Sequence, residues 1–361
     1  MNPPIPQRIS LVDQTVAALR QSLMQHEFTD RLPGESELAG RLHVSRNTVR
    51  AALTVLENEG CLRRANGVRR EIVNLYPLPR TKVRRIILVM ERTKNDFPPS
   101  TAQWIESLAS RMSSEGWRFQ IQVEPNTYRS RPAGILRSMT ASLPGSIWVL
   151  HRSTPAMQQW FQDGAHKVIL AGARHEGIHL PRVEADWRAA SHHAAGRFLR
   201  RGHRRLAILR PDKALAGDEE SVEAFKQAAD SVPVMDIRCG GGAAGVVTAL
   251  KSMLQLVHRP TGVYVLHADQ CVTVLTFLQQ QGFVVPAAIS LICRDDESYL
   301  ALLRPEPTRY RRSASVFAAK LGNLIRETEK GAAIKGKGHL IMPTAIEGAT
   351  LASPPVLKKD R

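Results

Sequence analysis

The sequence predicts an α/β protein in two parts, a small N-terminal helical head followed by a much larger domain in which strands and helices alternate. Three observations carry that prediction. Apolar residues recur at helical spacing through the first sixty residues, the spacing then shortens to alternation, and beyond a proline-bearing stretch short apolar runs are separated by amphipathic ones. A chain of 361 residues also exceeds what one ordinary core supports, so more than one folding unit is expected.

In the first helix Leu11, Thr15, Ala18, Leu19 and Leu23 fall near one face. A second, short helix begins after Leu32-Pro33-Gly34. Leu42-His43-Val44 then leads through a tight turn into a third helix at Ser45, a side chain suited to capping the first free amides. On that helix Val49, Ala52, Leu53 and Leu56 repeat at helical intervals and face a core, which turns Arg46, Asn47 and Arg50 outward. Gly60 stops the helix, and residues 62–73 alternate as two short strands around Asn66-Gly67, a dipeptide suited to positive φ. Three helices and a basic hairpin make a winged helix-turn-helix, assigned to residues 1–74. Residues 75–84, with Pro77 and Pro79, lack periodicity and read as a linker.

The larger domain, residues 85–351, carries candidate strands at 86–90, 119–123, 146–150, 168–171, 206–209, 234–238, 262–266 and 289–293. Helical stretches such as 104–115, 189–201, 221–229, 246–257 and 272–281 separate most of them. Such alternation implies parallel sheets covered on both faces, and this many strands favours two sheets flanking a cleft over one. Residues 352–361 are a tail.

Hydrophobic content of 43% with 23% charged residues is globular composition. No apolar run is long enough to span a bilayer, and MNPPIPQRIS lacks the basic-then-apolar pattern of a secretion signal, so a cytoplasmic protein without a membrane partner is expected. Cys61, Cys239, Cys271 and Cys293 are far apart and form no Cys-x-x-Cys pair, which points to buried reduced thiols. The net charge of +17 attracts polyanions. Residues 1–80 hold 11 Lys/Arg against 8 Asp/Glu, so most of the excess lies elsewhere. Arg197, Arg200, Arg201, Arg204 and Arg205, around a predicted helix end, are one location. They either complement the helix dipole or offer a surface to DNA or to an anionic effector.

Chemistry concentrates in Val44-Ser45-Arg46-Asn47-Thr48-Val49-Arg50. Arg46 and Arg50 share a helix face, and a guanidinium matches a guanine edge bidentately. Asn47 pairs with adenine or a phosphate, while Ser45 and Thr48 reach phosphate oxygens beside the amides of an exposed helix N-terminus. Arg63, Arg64, Arg69 and Arg70 flank the hairpin, whose reach suits an adjacent phosphate strand or the minor groove.

Leu32-Pro33-Gly34-Glu35-Ser36-Glu37-Leu38-Ala39, then Val44 to Leu53, then Leu56-Glu57-Asn58-Glu59-Gly60, resemble the GntR family of bacterial regulators over about residues 8–73. The resemblance implies DNA contacts at Ser45, Arg46, Asn47, Thr48 and Arg50, with Gly67 at the wing tip. Three positions depart from the family pattern: Ser36 replaces a usual Arg, which suggests altered operator preference, His43 replaces a Gly, and Arg69 replaces a second wing Gly. His43 is a tolerable occupant of a left-handed turn.

Val183-Glu184-Ala185-Asp186 followed by a helix, Gly202 to Leu209, and Val285 to Asp296 resemble the LacI-type effector domain over about residues 84–351. The resemblance implies the type 1 periplasmic-binding-protein fold, two lobes around a ligand cleft, and a homodimer. A GntR reader joined to such a sensor is similar to the arabinose-repressor subgroup. Asp186 and Asp295 stand where that family has ligand-facing carboxylates; helix capping and hinge contacts are the structural alternative for both. Ser221 stands for a sugar-binding Arg, Ala268 for an Asn, and Glu347 for a late Arg. A pocket without those donors loses charge-assisted bonds, so a different or absent effector is open.

Two motifs point elsewhere. His175-Glu176-Gly177-Ile178-His179 matches the zinc-protease string, but Gly172, Gly177 and Pro181 place it in a loop rather than on one helix face. Gly240-Gly241-Gly242-Ala243-Ala244-Gly245 fits the dinucleotide fingerprint between a strand and a helix, which would make the chain an oxidoreductase fused to a DNA-binding head. The reading that follows is a sequence-specific transcriptional repressor, not an enzyme and without cofactor or metal. Its partners are operator DNA and a small-molecule effector of carbohydrate type. A constitutive regulator with a degenerate sensor used only for dimerisation is the alternative.

Overall fold

The computed structural model describes residues 10–24, 27–28, 31–64, 70–73, 84–93, 96–213, 215–331 and 336–355. The chain divides into two compact units, Met1–Val83 and Arg84–Arg361.

In the first unit α1 (Leu11–Met24), α2 (Glu35–Leu42) and α3 (Arg46–Asn58) precede an antiparallel pair, β1 (Leu62–Arg64) and β2 (Arg70–Ile72), in which Arg63 faces Glu71. An isolated bridge from Arg31 to Glu71 adds a third segment to this sheet. Leu19 and Leu23 of α1, Leu38 of α2 and Val49, Ala52, Leu53 and Leu56 of α3 form one core. Each fully buried side chain of this kind contributes about 1.5–3 kcal/mol. Leu11, expected in the core, is 54% exposed, and Val16 takes its place beside Thr15. Two turns set the entry and exit of the reading helix. His43 occupies the left-handed region (φ 52°, ψ 39°), and Gly60 (φ 75°) ends α3.

The second unit holds two six-stranded sheets. The first comprises β3 (Arg85–Met90), β4 (Arg118–Val123), β5 (Ile147–His151), β6 (Lys167–Ala171), β7 (Arg182–Ala185) and β13 (Gly338–Ile341), in the order β13-β7-β6-β5-β3-β4 and parallel throughout. Alternate residues of β3 serve opposite faces. Ile86, Leu88 and Met90 meet Trp104 and Leu108 of α4 (Pro99–Ser114) and Phe317 and Leu321 of α11 (Ala314–Glu329). Ile87 and Val89 meet Leu136 of α5 (Ala133–Ser142) and Met157 and Phe161 of α6 (Pro155–Asp163).

The second sheet comprises β8 (Leu206–Pro211), β9 (Val234–Cys239), β10 (Gly262–Val265), β11 (Ser290–Cys293), β12 (Thr308–Arg311) and β14 (Thr344–Ile346). Its order is β14-β12-β11-β10-β8-β9, with only β14 antiparallel. α7 (Trp187–Arg200) and α8 (Ala216–Ala228) cover one face through Ala194, Phe198, Val222 and Phe225. α9 (Gly242–Leu254) and α10 (Ala268–Gln280) cover the other.

β7, β12, β13 and β14 were not among the strands expected from sequence, which named eight in this domain. The chain crosses between the two lobes three times, after β7, after β12 and between β13 and β14. The C-terminal ends of β5, β6 and β7 in one lobe and of β10 and β11 in the other thereby face a common cleft, where open parallel sheets place their ligands.

Candidate functional sites

Ser45 caps α3: its Oγ accepts from the Thr48 amide at 3.1 Å and lies 2.8 Å from Thr48 Oγ1. Arg46 and Asn47 follow in the first turn, exposed and without hydrogen-bond partners among the described residues, so both are free to meet a ligand. Ser36 is exposed in the first turn of α2. Arg50 is held instead. Its Nη2 and Nε donate to Glu35 Oε2 at 2.9 and 3.1 Å, and this contact, more than that of Arg70, holds the Glu35 carboxyl below its ordinary range. Gly67 and Arg69 lie outside the described residues.

One expected wing cation points inward. Arg70 is 7% exposed, donates to Glu57, and reaches Glu35 at 3.1 Å. It locks β2 to α2 and α3 rather than offering charge to a phosphate strand. Exposed Arg63 and Arg31 share Glu71, at 3.3 and 3.0 Å. Replacing Arg70 by Ala is therefore expected to destabilise the head by about 1.5–3 kcal/mol, the worth of charged hydrogen bonds. Urea unfolding followed by far-ultraviolet circular dichroism checks this; an unchanged head transition would contradict the inward role.

The cleft of the second unit holds a charged cluster on the C-terminal lobe. Arg294, just after β11, donates from Nη1 to Asp218 Oδ1 at 2.8 Å, to Ser221 Oγ at 3.0 Å and to the Gly217 carbonyl at 3.3 Å. Its Nε donates to Asp295 Oδ1 at 3.1 Å. His267, just after β10, bridges the same carboxylates, with Nε2 3.2 Å from Asp218 and Nδ1 3.3 Å from Asp295. Burial opposes the charged form of every member, yet the mutual attraction wins. His267 is pushed up to about 9, and Asp218 and Asp295 are held below the usual carboxylate range. Two acids and two bases leave this cluster close to neutral.

From the N-terminal lobe, Glu184 at the end of β7 is 3% exposed. Its Oε2 lies 3.1 Å from Arg182 Nη1 yet makes no hydrogen bond, and burial pushes its carboxyl up to about 8. Arg312, after β12, lies over the Phe317 ring at 4.4 Å. Contacts also join the lobes. Glu297 accepts from the Ser100 amide at 2.9 Å and its hydroxyl at 2.5 Å, at the N-terminus of α4, and Arg182 reaches Glu220 at 3.5 Å.

Of the four effector positions expected from sequence, the structure brings Asp295 to the cleft. The other three are not among the residues that line it. Asp186 caps α7, accepting from the Ala189 amide at 2.9 Å. Ser221 is fully buried and donates to the Gly217 carbonyl at 2.7 Å, and Ala268 is buried in the core under α10. Glu347, 73% exposed, pairs with Arg197 at 2.5 Å. Glu184, Asp218, His267, Arg294 and Arg312 line the cleft instead. Sequence reasoning passed over them as site residues, although Glu184 and Arg294 stand beside Asp186 and Asp295 in the quoted motifs.

The remaining motifs have structural employment. Arg204 donates to the Leu199 carbonyl at 3.5 Å at the end of α7, which suits the helix-end reading for that residue, while Arg201 donates to the Leu351 carbonyl at 2.9 Å and Arg205 to the Arg259 carbonyl at 3.2 Å. His175 to His179 forms a loop with Gly177 at φ 75°, and His175 Nε2 lies 3.0 Å from the Ser153 carbonyl. Among the described residues no group of His, Cys, Asp or Glu is arranged to hold a metal ion. The glycine run turns β9, an edge strand, into α9; Gly241 and Gly242 take positive φ, and a Cβ on Gly245 would collide with the Gly240 carbonyl. No helix among the described residues is long and apolar enough to cross a membrane.

Residues 11–72 match the family described as bacterial regulatory proteins, gntR family. Residues 195–351 match the periplasmic binding protein-like domain. The chain is 21% identical over 327 residues to an arabinose metabolism transcriptional repressor of Geobacillus stearothermophilus, covering 86% of this chain and 88% of the relative. Among solved structures it is similar to a LacI family transcriptional regulator from Bifidobacterium animalis (TM-score 0.64, 17% identity, 76% of this chain and 99% of that one). Another, from Enterococcus faecium with bound ribose, has a TM-score of 0.62 at 14% identity, covering 75% of this chain and 99% of that one.

Proposed function

We infer that this chain, a transcription regulator with a gntR-type DNA-binding head and a periplasmic binding protein-like domain, represses by occupying an operator and is released or retained according to an effector in its cleft. The observation that carries the reading is the capped, exposed N-terminus of α3, with Arg46 and Asn47 unengaged beside Ser45 and Thr48. Such a turn delivers amides to phosphates and side chains to base edges. Ser36, Arg50, Gly67 and Arg69 complete the proposed DNA surface, Arg50 once it leaves Glu35.

The effector is a small hydroxylated molecule of sugar type. The relative is named for arabinose metabolism, the neighbour carries ribose, and the cleft here is lined by convergent polar groups with perturbed ionisation. Asp295 is kept from the sequence reading as an effector contact. Coupling runs through lobe closure, because Glu297 with Ser100 and Arg182 with Glu220 exist only while the lobes are together. Only an effector that binds open and closed states differently shifts operator affinity. A homodimer would present two reading helices to half-sites about one helical turn, or a multiple, apart.

Footprinting of the full protein on the DNA around its own gene, with and without arabinose, ribose and their acids, tests this. Two protected half-sites whose occupancy changes with one of these compounds are expected. Failure to prefer any duplex over random competitor at moderate ionic strength removes the DNA assignment.

A further inference from the structure

We propose that the effector carries an oxyanion, a carboxylate or a phosphate, seated on Arg312, and is not a neutral sugar. The inference rests on the effector-binding reading above and narrows its ligand class.

The charges lining the cleft can be followed one by one. Asp218 and Asp295 are matched by Arg294 and His267 at 2.8 to 3.3 Å. Asp296 is taken by Arg309 and Arg311, each at 2.5 Å. Glu297 is occupied by the amide and hydroxyl of Ser100, and Glu184 has Arg182 within 3.1 Å.

What remains without a bonded partner is a cation. Among the described residues the Arg312 guanidinium makes neither a hydrogen bond nor an ion pair; its close contact is the face of Phe317 at 4.4 Å. Asp295, Glu297 and Glu184 are near enough to act on it, but among the described residues none of them bonds it. Exposed Arg152 adds a second unpaired cation on the rim. A guanidinium has five donors in a fixed fork and no accessible neutral form, so one in a cleft without an acceptor calls for a planar or tetrahedral oxyanion.

A second observation points to the rest of the ligand. Glu184 lines the cleft and its buried Oε2 makes no hydrogen bond, so a hydroxyl on the effector, which can donate to a carboxylate or accept from a protonated carboxyl, would give this group a partner once it turns toward the ligand. Hydroxyl and oxyanion together describe a sugar acid or a sugar phosphate.

The test is calorimetric titration of the full-length protein with glucose, gluconate, glucose 6-phosphate and inorganic phosphate, with the arabinose and ribose counterparts run alongside. Binding of an acid or a phosphate ester with its neutral parent at least tenfold weaker is expected. Gluconate against glucose 6-phosphate decides which oxyanion is taken. Arg312→Gln should weaken the charged ligand roughly ten- to hundredfold, the worth of charge-assisted bonds, and Arg312→Lys should recover part of it. Operator binding without effector reports that both variants are folded. Neutral sugars binding as tightly as their acids, or Arg312→Gln binding the acid unchanged, overturns the charge inference and leaves effector sensing intact. Binding of none of these compounds, neutral or charged, removes both.

Discussion

Arg46→Ala should weaken operator discrimination by roughly one to two orders of magnitude while leaving the melting of the protein where it was. Arg46 is exposed at the first position of α3 and has no intramolecular partner among the described residues, so its removal takes nothing from the fold. A guanidinium reading a guanine edge is worth about 1–3 kcal/mol of discrimination, roughly a factor of five to two hundred between operator and competitor. Arg50→Ala is the informative contrast, since Arg50 begins from an ion pair with Glu35 at 2.9 Å that DNA must break. Its loss should cost less affinity and relax Glu35. Gel-shift titration against operator and scrambled duplex, at two salt concentrations, separates base reading from phosphate contact. An Arg46→Ala protein that keeps full preference for its operator would move the reading surface away from this helix.

The head was legible because its signals are local. Ser45 before an apolar periodicity, Gly60 after it and a left-handed turn at His43 each act within a few residues, and Val49, Ala52, Leu53 and Leu56 are the buried face that the spacing describes. Arg70 shows where local reading ends. Next to Arg63 it looks like one more wing cation, and only the fold of β2 against α2 and α3 turns it onto Glu57 and Glu35.

The larger domain was legible as an architecture and far less as a site. Parallel sheets follow from alternation, and two of them around a cleft from the number of strands. The short strands that close each sheet were hidden by composition: β12 reads Thr-Arg-Tyr-Arg, and its Arg309 is 2% exposed only because Asp296 and Glu306 accept its donors. Three of the four pocket positions carried over from the family fall outside the cleft lining for a related reason. With Ser at 221 on α8 the guanidinium beside it comes from Arg294, just after β11, and donates to that hydroxyl, and with Ala at 268 a polar side chain comes from His267, one residue earlier. The charge in this cleft is arranged through space across β10, β11 and α8, which no window of sequence displays.

Arg294 is consequently a residue on which the stability of this domain depends. It is 4% exposed, sits over the Trp187 ring at 4.9 Å, and stands between two carboxylates that would otherwise repel each other in a buried setting. Arg294→Met should cost about 3–5 kcal/mol, because breaking a buried pair leaves uncompensated charge. Converting Asp218 to Asn in the same chain should return part of that loss. All five tryptophans lie beyond residue 84, so a fluorescence melt reports this domain without the head.

The same melt carries a pH signature. His267 titrates at about 9 in the fold against 6.5 ordinarily, so the stability it contributes is complete below pH 6.5 and is lost as pH rises through 9. Glu184 titrates at about 8 against 4.5, so the fold holds a proton that the unfolded chain has released, and stability falls between pH 4.5 and 8. Both slopes have one sign from pH 6.5 to 8, and melting of this domain should fall across pH 6.5 to 9. Glu184→Gln should flatten the lower part of that fall, and Asp218→Asn the upper part. A melting temperature constant from pH 6.5 to 9, or an Arg294→Met variant melting with the parent protein, would mean that the cluster does not hold the charges assigned to it.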